Sequence, residues 1–138
     1  MGGVYEGLTV VELADRRNQW AGKLLSDGGA RVIQIEPIRG SPGRWCGPFV
    51  GDKVDPDRCL DYWWNNTGKE SVALEVTRKT GHDLLTKLLS RADVFLQTMQ
   101  LRCAWDWNNP RLLRQQPCER DLSRCCLLSL CDAGEQIN

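Results

Sequence analysis

Two arginines stand in a loop suited to holding an anion. In Glu36-Pro37-Ile38-Arg39-Gly40-Ser41-Pro42-Gly43-Arg44, Arg39 and Arg44 lie among glycines and prolines. A guanidinium offers a planar bidentate fork to a phosphate. A third cation, Lys69, follows Gly68 in the turn Asn65-Asn66-Thr67-Gly68-Lys69. A glycine there lets backbone amides approach a ligand closely. Each feature has a plain alternative: both arginines as solvated loop residues, and Lys69 with Glu70 as a surface pair of little value.

The elements around the loop decide what it serves. Leu8-Thr9-Val10-Val11-Glu12-Leu13 is apolar and β-branched, which predicts a buried strand. Trp20, Leu24 and Leu25 recur at helical spacing, with Trp20 expected in the core, and Gly28-Gly29 ends that helix. Arg31-Val32-Ile33-Gln34-Ile35-Glu36 reads as a second strand. Strand, helix and strand at this length form the front of a parallel sheet, which binds ligands at its carboxyl edge, where the arginine loop begins. A nucleotide or coenzyme is the ligand class this arrangement suits.

The same architecture continues. Residues 42–57 read as an extended surface loop, and Cys59 to Trp64 as a short helix packing on the sheet. Ser71-Val72-Ala73-Leu74-Glu75-Val76 alternates as a third strand. Thr80 is placed to cap a helix whose apolar face is Leu84, Leu85, Leu88 and Leu89, and Val94-Phe95-Leu96-Gln97 forms a fourth strand. Strand–helix alternation means an α/β fold with right-handed crossovers. Glu36 resembles in position the ribose-binding acid of a dinucleotide fold. The first strand–helix turn, Ala14-Asp15-Arg16-Arg17-Asn18-Gln19, has no glycine, so Glu36 reads instead as structural. His82, the sole histidine, falls in the first turn of a surface helix and reads as exposed.

Composition narrows the classes. At 138 residues one domain is the default, and 18 basic against 18 acidic residues imply no bulk attraction to nucleic acid or membrane. No apolar run approaches the ~18 residues of a membrane span, and early charges at Glu6, Glu12, Asp15 and Arg16 argue against a secretory leader. A cytoplasmic protein is expected. The seven cysteines are therefore read as free thiols. Cys118, Cys125, Cys126 and Cys131 lack a Cys-x-x-Cys pair, so no metal site is expected.

After about Gln100 the character changes: all five lysines lie before that point. Residues 1–100 read as one α/β segment, and 101–138 as a divergent tail rich in cysteine and arginine. The tail is read first as lying outside the fold, disordered or translated out of frame. A domain boundary and a docking segment stay open.

The first hundred residues resemble the amino-terminal part of the class III CoA-transferase family, which includes formyl-CoA and carnitine–CoA transferases and α-methylacyl-CoA racemases. The resemblance rests on Val10-Val11-Glu12-Leu13, on Ala21 through Pro37, on Gly40-Ser41-Pro42-Gly43-Arg44, on Asn66 through Leu74, and on Leu88 through Leu96, in the family's order and spacing. It covers roughly residues 7–97. It implies a Rossmann-like parallel sheet with flanking helices, incomplete relative to the family. It also implies a CoA thioester as small-molecule substrate, with no metal and no nucleic-acid or membrane partner. Arg39 and Arg44 occupy the loop where the family binds phosphate, although Arg39 stands one position from the commonest place. Gly68 and Lys69 match a turn lying along CoA, and Thr98 takes the place of a family asparagine. The family's aspartate nucleophile falls beyond Asn138, so no catalytic residue is assigned. Interlocked homodimers, the family's assembly, use later segments. The resulting expectation is a CoA-binding fragment of a CoA transferase. A non-catalytic nucleotide-binding or interaction module, and a racemase relative, are the alternatives.

Overall fold

The structure is a computed structural model that describes residues 2–14, 16, 19–97 and 126–129. Among the described residues five parallel strands form one sheet: β1 (Thr9–Leu13), β2 (Arg31–Glu36), β3 (Glu70–Ala73), β4 (Val94–Gln97) and β5 (Cys126–Ser129), in the order β3-β2-β1-β4-β5. Among the described residues three α-helices flank them: α1 (Gln19–Asp27), α2 (Leu60–Asn66) and α3 (Lys79–Leu89). The α/β, Rossmann-like expectation holds. The strand β5 lies within the stretch read as a tail, paired parallel with β4 through Val94↔Cys126 to Gln97↔Ser129. Cys126-Leu127-Leu128-Ser129 has no alternation to betray it, as befits a short strand in a parallel sheet.

Strand order steps outward from β1 through β2 to β3, then returns across β1 to β4. Right-handed connections in opposite directions put their helices on opposite faces. On one face α3 packs Leu85 and Leu89 against Val11, Leu13, Ile33, Ile35 and Phe95. On the other, Ala21 and Leu25 of α1 cover Val10, Val32 and Leu96. Glu12 pairs in register with Gln34, so both point to this second face, with Glu36 two residues on.

Helix α1 departs from its predicted pattern. Its buried residues are Gln19, Gly22 and Lys23, whereas Trp20 and Leu24 are 47% and 51% exposed. The cause lies on the sheet. The carboxylate of Glu12 points up beneath α1, and a Cβ at residue 22 would sit 2.5 Å from Glu12 Oε1. Only glycine fits, and the helix turns its polar side to the acid. In α3 the apolar face is narrower than expected, with Leu84 51% exposed. The residue at its N-cap is Arg78, which makes no side-chain cap bond, so Thr80 sits inside the first turn. His82 is partly buried rather than exposed. The third strand begins at Glu70 and ends at Ala73, leaving Leu74 and Val76 to pack at the rim of the core.

Candidate functional site

The loop leaving β2 is organised by a buried acid. Glu36, the last residue of β2, is 2% exposed and accepts five hydrogen bonds. Arg44 donates two in a bidentate pair, Nε to Oε2 at 2.8 Å and Nη2 to Oε1 at 2.9 Å. The Ser41 amide donates at 2.8 Å, and Tyr62 and Ser71 each donate a hydroxyl at 2.5 Å. Three strands or helices and the loop thus converge on one carboxylate. Burial alone would push the Glu36 carboxyl up, but Arg44, Ser71, Tyr62 and the Ser41 amide overcome it and hold it at about 2. Burial and the neighbouring Glu36 together push the Tyr62 phenol well above its usual range. The reading of Glu36 as structural is what the geometry displays.

Arg44 is correspondingly occupied. Its guanidinium lies 4.1 Å from the centroid of the Tyr62 ring, a cation–π contact, and reaches Asp57 at 3.4 Å. The Glu36 hydrogen bonds raise its already high pKa further. Arg39 is different. It sits in the exposed turn 37–40, closed by the Gly40 amide donating to the Pro37 carbonyl at 2.8 Å. Among the described residues no hydrogen bond or ion pair engages its side chain.

Lys69 is not on the surface. Its side chain is 1% exposed, and its ammonium donates to Glu12 Oε2 at 2.6 Å and to the Gln19 carbonyl at 2.7 Å. Glu70, its suggested surface partner, pairs instead with Arg31 through two bonds of 2.8 and 2.9 Å. Burial pushes the Glu12 carboxyl up and the Lys69 ammonium down, each against the pull of the other. Gly68 adopts φ +80°, and a Cβ there would lie 2.7 Å from Ser26 Oγ. Glycine is therefore required where α2 ends and the chain reverses. Thr98 lies outside the described residues.

Sequence reasoning missed the residues that join these parts. Gln19 links Ser41 to Asn66, with Nε2 donating at 3.4 Å and Oε1 accepting at 3.1 Å. Tyr62 ties α2 to Gln34 and Glu36 of β2. Two signals were available: an acid inside an apolar strand requires a partner, and a glycine inside a helix marks a close approach. Among the described residues no group of His, Cys, Asp and Glu could hold a metal ion, and no helix is long and apolar enough to cross a membrane.

The family model for CoA-transferase family III matches residues 5–114, further along the chain than the motifs alone reach. The chain is 29% identical over 113 residues to cinnamoyl-CoA:phenyllactate CoA-transferase of Clostridium sporogenes, covering 81% of this chain and 26% of that one. It is 36% identical over 98 residues to (R)-2-hydroxy-4-methylpentanoate CoA-transferase of Clostridioides difficile, covering 70% and 25%. A solved CAIB/BAIF family protein from Brucella suis superposes with a TM-score of 0.64 at 30% identity, over 73% of this chain and 27% of that one. The chain thus spans about a quarter of the length of these relatives. The matched strands, the loop after β2 and the turn at Gly68 all fall inside the family match, and the chain belongs to CoA-transferase family III.

Proposed function

We propose that this chain provides the coenzyme-binding front of a CoA transferase. In this reading the loop after β2 receives the phosphate-bearing adenylate end of a CoA thioester. Arg39 contacts phosphate, and the Gly68–Lys69 turn borders the bound coenzyme without lending its ammonium, which Glu12 already engages. One observation carries the reading: an exposed guanidinium, unpaired among the described residues, at the carboxyl edge of a parallel sheet on a loop anchored by a buried acid. Such an edge is where open α/β sheets bind ligands. The relatives' names favour transfer over racemisation, and no residue of this chain is assigned the nucleophile.

Isothermal titration of the full chain with CoA tests the proposal. Saturable heat that weakens as salt rises is expected, because an exposed cation is screened. Silence from a folded chain contradicts it and favours the second reading, an interaction module. That alternative draws on the exposed Trp20, Leu24 and Trp64 around Lys23, whose ammonium lies 5.0 Å from the Trp64 ring.

A further inference from the structure

Arg44 and Arg39 share a loop and a charge, yet their surroundings divide them. The fork of Arg44 is spent on both oxygens of Glu36, and one face of its guanidinium lies against Tyr62. Its aliphatic stem passes under the turn that carries Arg39: a Cβ at Gly40 would lie 3.1 Å from Arg44 Cδ. Gly40 takes φ +83°, a conformation that glycine reaches without cost, and this leaves the room the stem fills. The same carboxylate that grips Arg44 also accepts the Ser41 amide, immediately after Gly40. Both ends of the turn are therefore tied to one acid: Pro37 follows it in sequence, and Gly40-Ser41 is fastened to it through Arg44 and an amide.

We propose that Arg44 is a positioning residue: clamped between Glu36 and Tyr62, it fixes the 37–40 turn so that Arg39 alone meets the coenzyme's phosphates. This rests on the coenzyme reading above. Pre-ordering the turn spares the complex the cost of ordering it on binding. A bidentate phosphate contact through the Nε–Nη2 edge of Arg44 would require breaking a pair whose carboxylate is out of water, and Nη1 already faces Asp57 at 3.4 Å, which opposes Arg44 as the principal ligand.

A double-mutant cycle on CoA affinity separates the two roles, using Arg39→Ala, Arg44→Lys and the pair. Arg44→Lys keeps the charge and most of the stem but loses the bidentate fork. The positioning role makes its effect depend on Arg39: about tenfold weaker binding with Arg39 present and under about twofold with Arg39→Ala, a scale set by one charge-assisted contact. Amide exchange of residues 37–44 without coenzyme should speed up in Arg44→Lys and remain slow in Arg39→Ala. Additive losses in the cycle, or unchanged exchange in Arg44→Lys, overturn the inference while leaving the coenzyme reading intact. A folded parent that gives no heat with CoA overturns the coenzyme reading and, with it, this one. Should Arg44→Lys fail to fold, Tyr62→Phe, which removes one bond to Glu36 and keeps the ring, must show the same dependence on Arg39; independence from Arg39 there is equally fatal.

Discussion

Glu36 is the last residue of β2 and Glu12 the last but one of neighbouring β1; they face the same side of the sheet, are 2% and 0% exposed, and each meets a cation. Their chemistry diverges all the same. Glu36 has both oxygens saturated by five donors and is held at about 2. Glu12 receives the ammonium of Lys69 on Oε2, whereas Oε1 finds no partner among the described residues, and its pKa rises. Desolvation pushes both carboxyls up and is the largest influence on each; at Glu36 the donors together outweigh it, and at Glu12 they do not. The saturated acid anchors the loop at the carboxyl edge of the sheet, and the under-satisfied one is a liability sealed beneath α1.

Breaking the weaker site should cost the most. Lys69→Met leaves Glu12 buried and unpaired and should lower stability by about 3–5 kcal/mol, read from urea unfolding. Adding Glu12→Gln to that variant should return much of the loss, because the buried charge is gone. Equal stability of the single and double variants would show that Glu12 is already neutral.

The saturated acid should reveal itself in pH. Its folded pKa lies below the unfolded value of 4.5, so its contribution is complete above that value and fades as pH falls towards about 2. The whole step amounts to roughly 3 kcal/mol. Glu36→Gln should flatten that part of the acid limb of the stability curve. An acid limb identical to the parent's would place the titration elsewhere.

An exposed pair sets the floor of the comparison. Arg31 and Glu70 have bonds as short as those between Arg44 and Glu36, but side chains 61% and 53% exposed. Arg31→Ala should leave stability close to the parent's in urea unfolding, because solvent screens the pair. A clear loss would mean that geometry outweighs desolvation on this sheet.

Much of this fold can be read from the chain because parallel strands declare themselves as short apolar runs. Val10-Val11, Val32-Ile33 and Phe95-Leu96 occupy the core as expected. The arginine loop and the turn at Gly68 were also apparent, since glycine and proline punctuate them. What stayed hidden was pairing across distance. Lys69 reaches Glu12 across 57 positions, and Tyr62 reaches Glu36 across 26. Neither separation leaves a local period. The polar buried side of α1 inverted the usual inference, because Trp20 and Leu24 carry the apolar signal while Gln19 and Lys23 carry the contacts. Arg39 and Arg44 look alike in sequence, and only the neighbours brought in by β2 and α2, Glu36 and Tyr62, distinguish them.

The central claim is that Arg39, on a turn anchored by Glu36, meets the phosphates of CoA. Calorimetric titration of CoA into the parent and Arg39→Ala, each at low and moderate salt, tests it most directly. The predicted result is saturable binding by the parent that weakens with salt, and a loss of about tenfold or more with a shallower salt dependence in the variant. Equal affinity and equal salt dependence in the two proteins would contradict it.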